Sequence, residues 1–284
     1  MMDQVSSKPQ SWLLTQFRYA LDAVQFRKAL LDIWQGWQRW ELWGTMGLHD
    51  IRQRYRRSVL GPFWITISMG LMIGTLGLVY STIFKVETQD YLPYLTAGFL
   101  VWGLLSTLIS DGTNAFISSE GLIRQLAAPL SIHVYRVLWS NLIILAHNIW
   151  IFVIVALWYR LNPGWTVLLA APALLLFLVN GLWIGLLLGL LSARFRDIPL
   201  IVASILQVAF FITPVFWKPE MLSGRLMLLH ANPFYYFVEI MRAPLLGNVP
   251  QAEHWISVLV ITVLGWVITL LFFTAYRWRL AYWV

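Results

Sequence analysis

The feature that most constrains this chain is a series of long apolar segments without charged residues. The first runs from Phe63 to Phe84, directly after the basic stretch IRQRYRRSVLGP that begins at Ile51. About 20 apolar residues in a helix are enough to cross a bilayer, so this segment is long enough to span one. Arginines at the edge of a span favour the cytoplasmic side. The stretch therefore predicts where the membrane begins and how the chain is oriented in it.

The composition agrees with an integral membrane protein. Of 284 residues, 59% are hydrophobic and 12% are charged, whereas a soluble domain has about 25% charged residues. The formal net charge is +7, but the basic residues flank apolar runs and make no long solvated basic face. We therefore expect membrane lipids, and no nucleic acid, as partners. The absence of cysteine excludes disulfides and thiolate metal sites.

Six apolar segments predict an all-α membrane protein with six transmembrane helices. Their approximate bounds are 62–84, 92–117, 137–159, 166–192, 198–217 and 255–276. If the N-terminus is cytoplasmic, most of the 20 lysines and arginines fall in cytoplasmic segments, as the positive-inside rule requires. Six spans then place both termini in the cytoplasm. We divide the chain into a cytoplasmic tail with an interface helix, 1–60, and a transmembrane domain, 61–284.

Two segments on the predicted cytoplasmic side carry helical patterns. From Trp34 to Tyr55, apolar residues recur every three or four positions, which predicts an amphipathic helix in the membrane interface. The alternative is a helix packed on a soluble partner. A second short helix is predicted over Glu120–Ala127, stopped by Pro129. It is either a plain connector or a docking helix for a soluble partner. The docking residues would be Glu120, Gly121, Leu122, Ile123 and Arg124.

The external segment between the last two spans, 218–254, stays apolar although Pro219, Pro233 and Pro244 divide it. This pattern predicts short helices that re-enter the outer half of the membrane, where non-helical backbone must be buried or line a wet cavity. The segment is therefore a candidate outer gate. Aromatic rings near it either line a pathway or serve as interfacial belts and packing. The candidate channel and gate residues are Trp102, Phe210, Phe211, Phe216, Trp217, Pro219, Asn232 and Pro233.

The sequence predicts neither a nucleotide site nor a catalytic centre. None of the lysines is followed by Ser or Thr, so a Gly-Lys-Ser/Thr phosphate-binding loop is absent. Asp111 and His147 are ionisable residues within predicted spans. We interpret Asp111 as a helix-capping residue or a hydrogen-bonding residue between helices, and His147 as a hydrogen-bonded packing residue, rather than as ion carriers. No His, Asp or Glu cluster has metal-ligand spacing, and no nucleophile–base arrangement stands out. We expect no cofactor in this chain.

Four motifs occur in order from the end of the interface helix to the C-terminal region. They read HDIRQRYRRSVLGPFW, GLIRQLAAPLSIHVYR, LSARFRDIPLIVASILQVAFFITPVFW and NPFYYFVEIMRAPLLG. Together they resemble the permease subunit of type-2 ABC exporters that move lipid-linked polysaccharides such as O-antigen, capsule or teichoic acid. The resemblance implies a homodimer in the cytoplasmic (inner) membrane with two ABC ATPase subunits, which would bind ATP and Mg on the cytoplasmic face.

The substrate implied by this resemblance is a polysaccharide on a polyprenyl diphosphate. Arginine binds phosphate through two parallel hydrogen bonds, so the basic stretch offers candidate diphosphate contacts. A role in membrane orientation alone is the alternative for each of them. The arginines concerned are Arg52, Arg54, Arg56 and Arg57.

Three other functions stay open on the sequence. A type-2 ABC permease for another lipid or a drug is disfavoured by the RYRRSVLGPFW block. A membrane enzyme of polyprenyl-linked glycan assembly would need acidic residues in its cytoplasmic loops, and the two loops between spans provide Glu120 and Asp197 alone. A secondary transporter is disfavoured because charge within the spans is scarce.

Overall fold

The computed structural model describes residues 23–54, 56, 63–221 and 227–284, and within these ranges it contains helices and no strand. Short 3-10 turns precede α5, α7 and α12 and follow α8. The α-helices are α1 (Ala23–Gln38), α2 (Trp40–Arg54), α3 (Phe63–Phe84), α4 (Thr88–Asn114), α5 (Glu120–Gln125), α6 (Ser131–Trp158), α7 (Ala170–Arg194), α8 (Ile198–Ile212), α9 (Met227–His230), α10 (Pro233–Leu245), α11 (Ala252–Tyr276) and α12 (Leu280–Trp283).

Five helical segments of the described chain are long and apolar enough to cross a membrane. They are Phe63–Phe84, Thr88–Asn114, Ser131–Trp158, Gly164–Arg194 and Ala252–Trp283. Each overlaps one of the predicted spans. The remaining predicted span, 198–217, is helical only over the 15 residues of α8, about 22 Å at 1.5 Å per residue. The helix ends because Thr213 precedes Pro214 and adopts an extended conformation, as residues before proline prefer.

α4 is the central helix of the bundle. It packs against α3, α6, α7, α8 and α10, and most of its side chains are buried. Gly112 of α4 meets Gly185 of α7 so closely that a Cβ on Gly112 would lie 3.1 Å from the Gly185 backbone. Apolar helices gain little from the hydrophobic effect inside lipid, so close packing of small residues holds such a bundle together.

Several helices leave apolar faces uncovered in the single chain, and α3 and α8 are among them. α3 exposes Leu71 and Leu78, and α8 exposes Leu200 and Phe211. Isolated apolar side chains on a surface need no explanation, but continuous exposed faces indicate contact with lipid or with another protein.

The bundle has two ends that the loops define. The α5 end carries the α4–α6 connection, the α7–α8 turn and α12. The α10 end carries the α3–α4 turn and the described residues 213–221 and 227–251. α10 is mostly buried against α4, α7 and α11, and a Cβ on Gly247 after it would lie 3.4 Å from the Pro163 Cα. The predicted short helices of the external segment are present, and their depth in the membrane stays a prediction.

Gly98 provides a test of how tightly the turn after α8 packs on α4. A Cβ on Gly98 would lie 2.5 Å from the carbonyl oxygen of Val215, and this backbone atom has no rotamer by which to move away. We expect Gly98→Ala to destabilise the protein by about 1–3 kcal/mol, as overpacking does, measured by thermal unfolding of the detergent-solubilised chain.

The control is Gly103→Ala on the same helix, where an added Cβ meets nothing within 4 Å. It should keep the unfolding midpoint or raise it slightly, because alanine favours a helix over glycine. Equal midpoints for the two variants would show that the turn does not depend on this contact.

Candidate functional site

A polar cleft of about 450 Å³ opens at the α5 end, between α2, α4 and α6. Asp50 and Arg54 enter it from α2, Asp111 from α4 and Arg136 from α6. The Arg136 guanidinium donates to both carboxylate oxygens of Asp50. This two-fold, charge-assisted pairing fixes orientation as well as distance. It therefore holds α2 against α6 along one wall of the cleft.

The two ionisable residues singled out within the spans behave differently. Asn141 of α6 donates from Nδ2 to Asp111 Oδ2 at 3.0 Å, so Asp111 links two helices as predicted. His147 is 2.7 Å through Nδ1 from the carbonyl oxygen of Ile143 on its own helix, and its ring meets Phe63 of α3 edge-on at 6.0 Å. His147 is thus hydrogen-bonded within its own helix and packs against a neighbouring one, in agreement with the prediction of a hydrogen-bonded packing residue.

Asp32 of α1 holds the start of α6 and is 7% exposed. Its Oδ1 accepts from the Ser131 N–H at 3.0 Å and its Oδ2 from the Leu130 N–H at 3.1 Å. The Ser131 hydroxyl donates back to the Asp32 carbonyl at 2.7 Å. A carboxylate at a helix N-terminus satisfies free N–H groups and suits the helix dipole. Arg277, after α11, has its Nη1 3.6 Å from Asp32 Oδ2. The start of α6 and the end of α11 therefore both meet the Asp32 carboxylate of α1.

The predicted interface helix is two helices, α1 and α2, joined at Arg39, where backbone hydrogen bonds continue through the junction. The face that packs on the rest of the protein contains Gly36, Gly47 and Ile51. Small residues allow this close packing, since a Cβ on Gly47 would lie 2.9 Å from a Trp139 ring carbon.

Tryptophans line the outer side of these two helices. Trp34, Trp37 and Trp40 are exposed on the protein, and Trp37 also packs against Trp43 and Tyr135 at ring distances of 6.0 and 5.8 Å. Indole rings favour the membrane–water interface. The exposed row fits a location at that interface.

The predicted docking residues all lie on α5, and none of the α5 side chains is fully buried. Arg124 pairs with Glu120 at 2.8 Å and donates from Nε to the main-chain oxygen of Val284 at 3.0 Å. These two charges are thus engaged in holding α5 against the end of α12. The helix ends at Gln125, two residues earlier than predicted, because Leu126 is extended.

The remaining predicted docking residues present a mixed surface. Gly121 is exposed, and a Cβ added to it would meet nothing within 4 Å. Leu122 and Ile123 are half-buried. Leu126, just after α5, is 52% exposed. An apolar side chain in this position, beside two engaged charges, is a better contact candidate than Glu120 or Arg124.

The basic stretch begins on α2 and continues past the end of this helix. Arg52, Arg54 and Arg56 are exposed, and none of them forms an ion pair with any other described residue. Arg54 lines the polar cleft. Arg57 lies outside the described residues. The three described guanidinium groups are therefore open to an anion.

The predicted gate aromatics come together at the α10 end. Phe210 is the centre, with ring centroids 5.7 Å from Trp102, 5.4 Å from Phe211 and 5.5 Å from Phe216. Trp217 donates from its indole nitrogen to the Phe211 carbonyl at 3.1 Å. Residues from α4, α8 and the turn after it thus form one aromatic cluster.

Polar groups hold the turn Thr213–Trp217 beside this cluster. The Tyr94 hydroxyl lies 3.1 Å from the Pro214 carbonyl oxygen and 3.0 Å from that of Trp217. Arg242, which is 1% exposed, also donates to the Pro214 carbonyl and pairs with Glu239. Its guanidinium carbon lies 4.1 Å from the Tyr94 ring centroid. A buried charge is tolerated only with such partners.

Three further gate candidates shape the start of the outer helices. Asn232 caps α10 by accepting from the Phe234 N–H at 3.0 Å, and its Nδ2 donates to Thr213 Oγ1 at 2.9 Å. Pro233 takes the first helical position, which suits its missing N–H. Pro219 begins a 3-10 turn and is not part of the aromatic cluster.

Sequence reasoning missed Asp32 and Arg242. The signal for Arg242 was available, because Glu239 lies three residues before it in an otherwise apolar helix and such a pair shares a face. Asp32 stands alone among apolar residues of α1, and its partners lie almost 100 residues away in the chain. From sequence alone, a single acidic residue in an amphipathic helix indicates a solvent-exposed position, because its tertiary contacts are not known.

Comparisons with known proteins place the chain among transport proteins. A family model described as ABC-2 type transporter matches residues 41–246. An O-antigen export system permease protein RfbA from Myxococcus xanthus is 25% identical over 222 residues, which cover 75% of this chain and 84% of that protein. A protein of the same name from Klebsiella pneumoniae is 22% identical over 239 residues, covering 82% and 90%. The family match runs from α2 to the end of α10 and includes the cleft and the aromatic cluster.

Asp32→Asn tests whether the α1–α6 junction stabilises the fold. The amide keeps the size of the carboxylate but loses its charge and one acceptor, and a hydrogen bond to a charged group contributes about 1.5–3 kcal/mol. We expect a loss of stability in this range by thermal unfolding in detergent. The control is Glu41→Gln on α2, whose carboxylate is exposed, and it should unfold as the unmodified protein does. An unchanged midpoint for Asp32→Asn would contradict the prediction.

Proposed function

Because the chain belongs to the ABC-2 type transporter family, we propose that it is the permease subunit of an ABC exporter for lipid-linked polysaccharide. The substrate class is a glycan on a polyprenyl diphosphate, of the O-antigen kind, moved across the cytoplasmic membrane. One observation carries this proposal: relatives aligned over three quarters or more of the chain are named O-antigen export permeases. The chain itself would be a pore subunit and not an enzyme.

The proposed assembly is a homodimer with two ABC ATPase subunits. The uncovered apolar faces of α3 and α8 support a second copy, as does an apolar groove of about 490 Å³ between α8 and the start of α10. In this arrangement α8 and the turn after it form a short span, which makes six spans with both termini cytoplasmic. The helices of segment 213–251 would then re-enter the outer leaflet.

The α5 end is the proposed cytoplasmic face. The ATPase partner, which would bind ATP and Mg, would contact α5 and Leu126. Movement there would reach α6 through the connector that ends at Leu130, and α1 through Asp32. Residues 1–60 would thus carry the interface helices, and 61–284 the permease domain.

The substrate would meet the chain at two places. Arg52, Arg54, Arg56 and Arg57 lie just before the first span and would contact the diphosphate, which arginine recognises by paired hydrogen bonds. At the opposite end, the cluster around Phe210 would face the sugar chain, because flat rings pack well on apolar sugar faces. The Thr213–Trp217 turn would then be part of the outer gate.

Affinity isolation of this chain from its native membrane tests the proposal. We expect a stoichiometric ATPase partner in the eluate, and lipid-linked glycan that accumulates inside cells depleted of the chain. If the chain purifies without ATPase activity, the proposal of an ABC exporter is overturned. An ATPase partner without trapped glycan would keep the family assignment and move the substrate to another lipid or a drug.

The same isolation tests the docking surface with one variant. Leu126→Asp places a charge on the proposed apolar contact, and desolvating an unpaired charge at an interface is costly. We expect about tenfold less ATPase activity in the eluate, equivalent to about 1.4 kcal/mol of binding free energy. Val249→Asp is the matched control, because Val249 is 70% exposed but lies at the α10 end. Equal recovery of the ATPase with both variants would remove Leu126 from the interface.

A charge-preserving triple variant separates the two roles of the basic stretch. Arg52→Lys, Arg54→Lys and Arg56→Lys together keep the positive charge that sets orientation but lose the planar guanidinium that binds phosphate bidentately. We expect glycan export to fall several-fold while the ATPase partner still co-purifies. Full export by the lysine variant would show that these arginines act through charge alone.

A further inference from the structure

A second cavity lies at the α5 end, apart from the polar cleft, and the proposed export mechanism makes no use of it. It has a volume of about 340 Å³ and lies where α7, α11 and α12 converge. Arg194 and Arg279 form its basic part, and no carboxylate is among its lining residues. Neither arginine forms an ion pair with any residue that the structure describes.

Two aromatic rings lie within cation–π distance of one of these arginines. The Arg194 guanidinium carbon lies 5.7 Å from the Trp283 ring centroid and 5.8 Å from that of Phe195. Cation–π contact uses the flat face of the guanidinium and leaves its N–H edges free. These edges are the part of arginine that binds phosphate oxygens. The basic part of the cavity is therefore positioned for an anion and is not neutralised by the protein.

The inner part of the cavity is apolar. Leu190 and Leu191 line it one helical turn before Arg194, about 6 Å further into the bundle at 1.5 Å per residue. Phe272 and Tyr276 form the opposite wall, with ring centroids 4.5 Å apart. Basic groups outside and apolar groups inside repeat the order of headgroup and acyl chain in a membrane leaflet.

We propose that this cavity binds the phosphate headgroup of an anionic phospholipid, with the first acyl carbons against Leu190 and Leu191. It lies where two candidate spans, Gly164–Arg194 and Ala252–Trp283, reach their ends, which is the depth of lipid headgroups. A zwitterionic headgroup fits less well, because its ammonium would face two guanidinium groups and no carboxylate. A free phosphate would leave the apolar wall uncovered.

Bound lipid would act on α5 through α12. Trp283 lines the cavity, and the main-chain oxygen of the next residue, Val284, accepts the hydrogen bond from Arg124. Lipid that orders Trp283 therefore also orders the residue that anchors α5. The binding site itself does not depend on what the chain exports.

Native mass spectrometry of the full chain in detergent tests the site. The probes are dioleoyl phosphatidylglycerol, dioleoyl phosphatidylcholine and inorganic phosphate, added separately. We expect the unmodified chain to retain one more phosphatidylglycerol than the Arg194→Gln/Arg279→Gln double variant, with about tenfold weaker binding in the variant. Arg196→Gln is the matched control, because Arg196 is also exposed on the α7–α8 turn but does not line the cavity.

Three results would overturn the proposal. They are equal retention of phosphatidylglycerol by the double variant, equal affinity of the unmodified chain for phosphatidylcholine, and release of bound phosphatidylglycerol by millimolar inorganic phosphate. The last result would assign the site to a free anion. If the double variant unfolds in detergent, the single Arg194→Gln variant replaces it, since this exposed side chain donates to no other described residue, and the same outcomes apply.

Discussion

The polar backbone at the α10 end depends on one constraint, because a carbonyl group without a donor is costly where water is excluded. Proline stops α8 at Ile212 and leaves a turn whose carbonyl groups have no helical partners. Donors from elsewhere meet them: Tyr94 and Arg242 reach Pro214, and Tyr91 reaches Phe216. The turn is therefore held by α4 and α10, and the aromatic cluster beside it is held in place as well.

At the α5 end, the groups that need partners are the free N–H groups at the start of α6. Asp32 accepts from the first residues around the start of α6, and the same carboxylate faces Arg277. A membrane protein with few charges thus uses two buried ones, Asp32 and Arg242, to connect helices that are distant in the chain. In both cases the charge has an opposite charge and hydrogen-bond partners beside it, which is the condition for keeping it buried.

Much of the fold could be predicted from local pattern. The spans from Phe63 to Phe84 and near the C-terminus follow from uninterrupted apolar length, and the short outer helices follow from proline spacing. The aromatic gate candidates also converge, because Phe210, Phe211 and Phe216 are near neighbours in sequence. The packing face of α1 and α2 could not be predicted, since Gly36 and Gly47 contribute to it by being small, and hydrophobicity does not report this.

The sequence by itself determined that the chain is a helical membrane protein and which family it belongs to, because hydropathy and collinear motifs are properties of consecutive residues. Only the tertiary structure decided which polar groups meet. The partners of Asp32 and Arg242, and the cavity between Arg194 and Arg279, depend on helices that are brought together in space. A single sequence does not show which helices lie close together. In an isolated helix each of these side chains would be exposed to solvent.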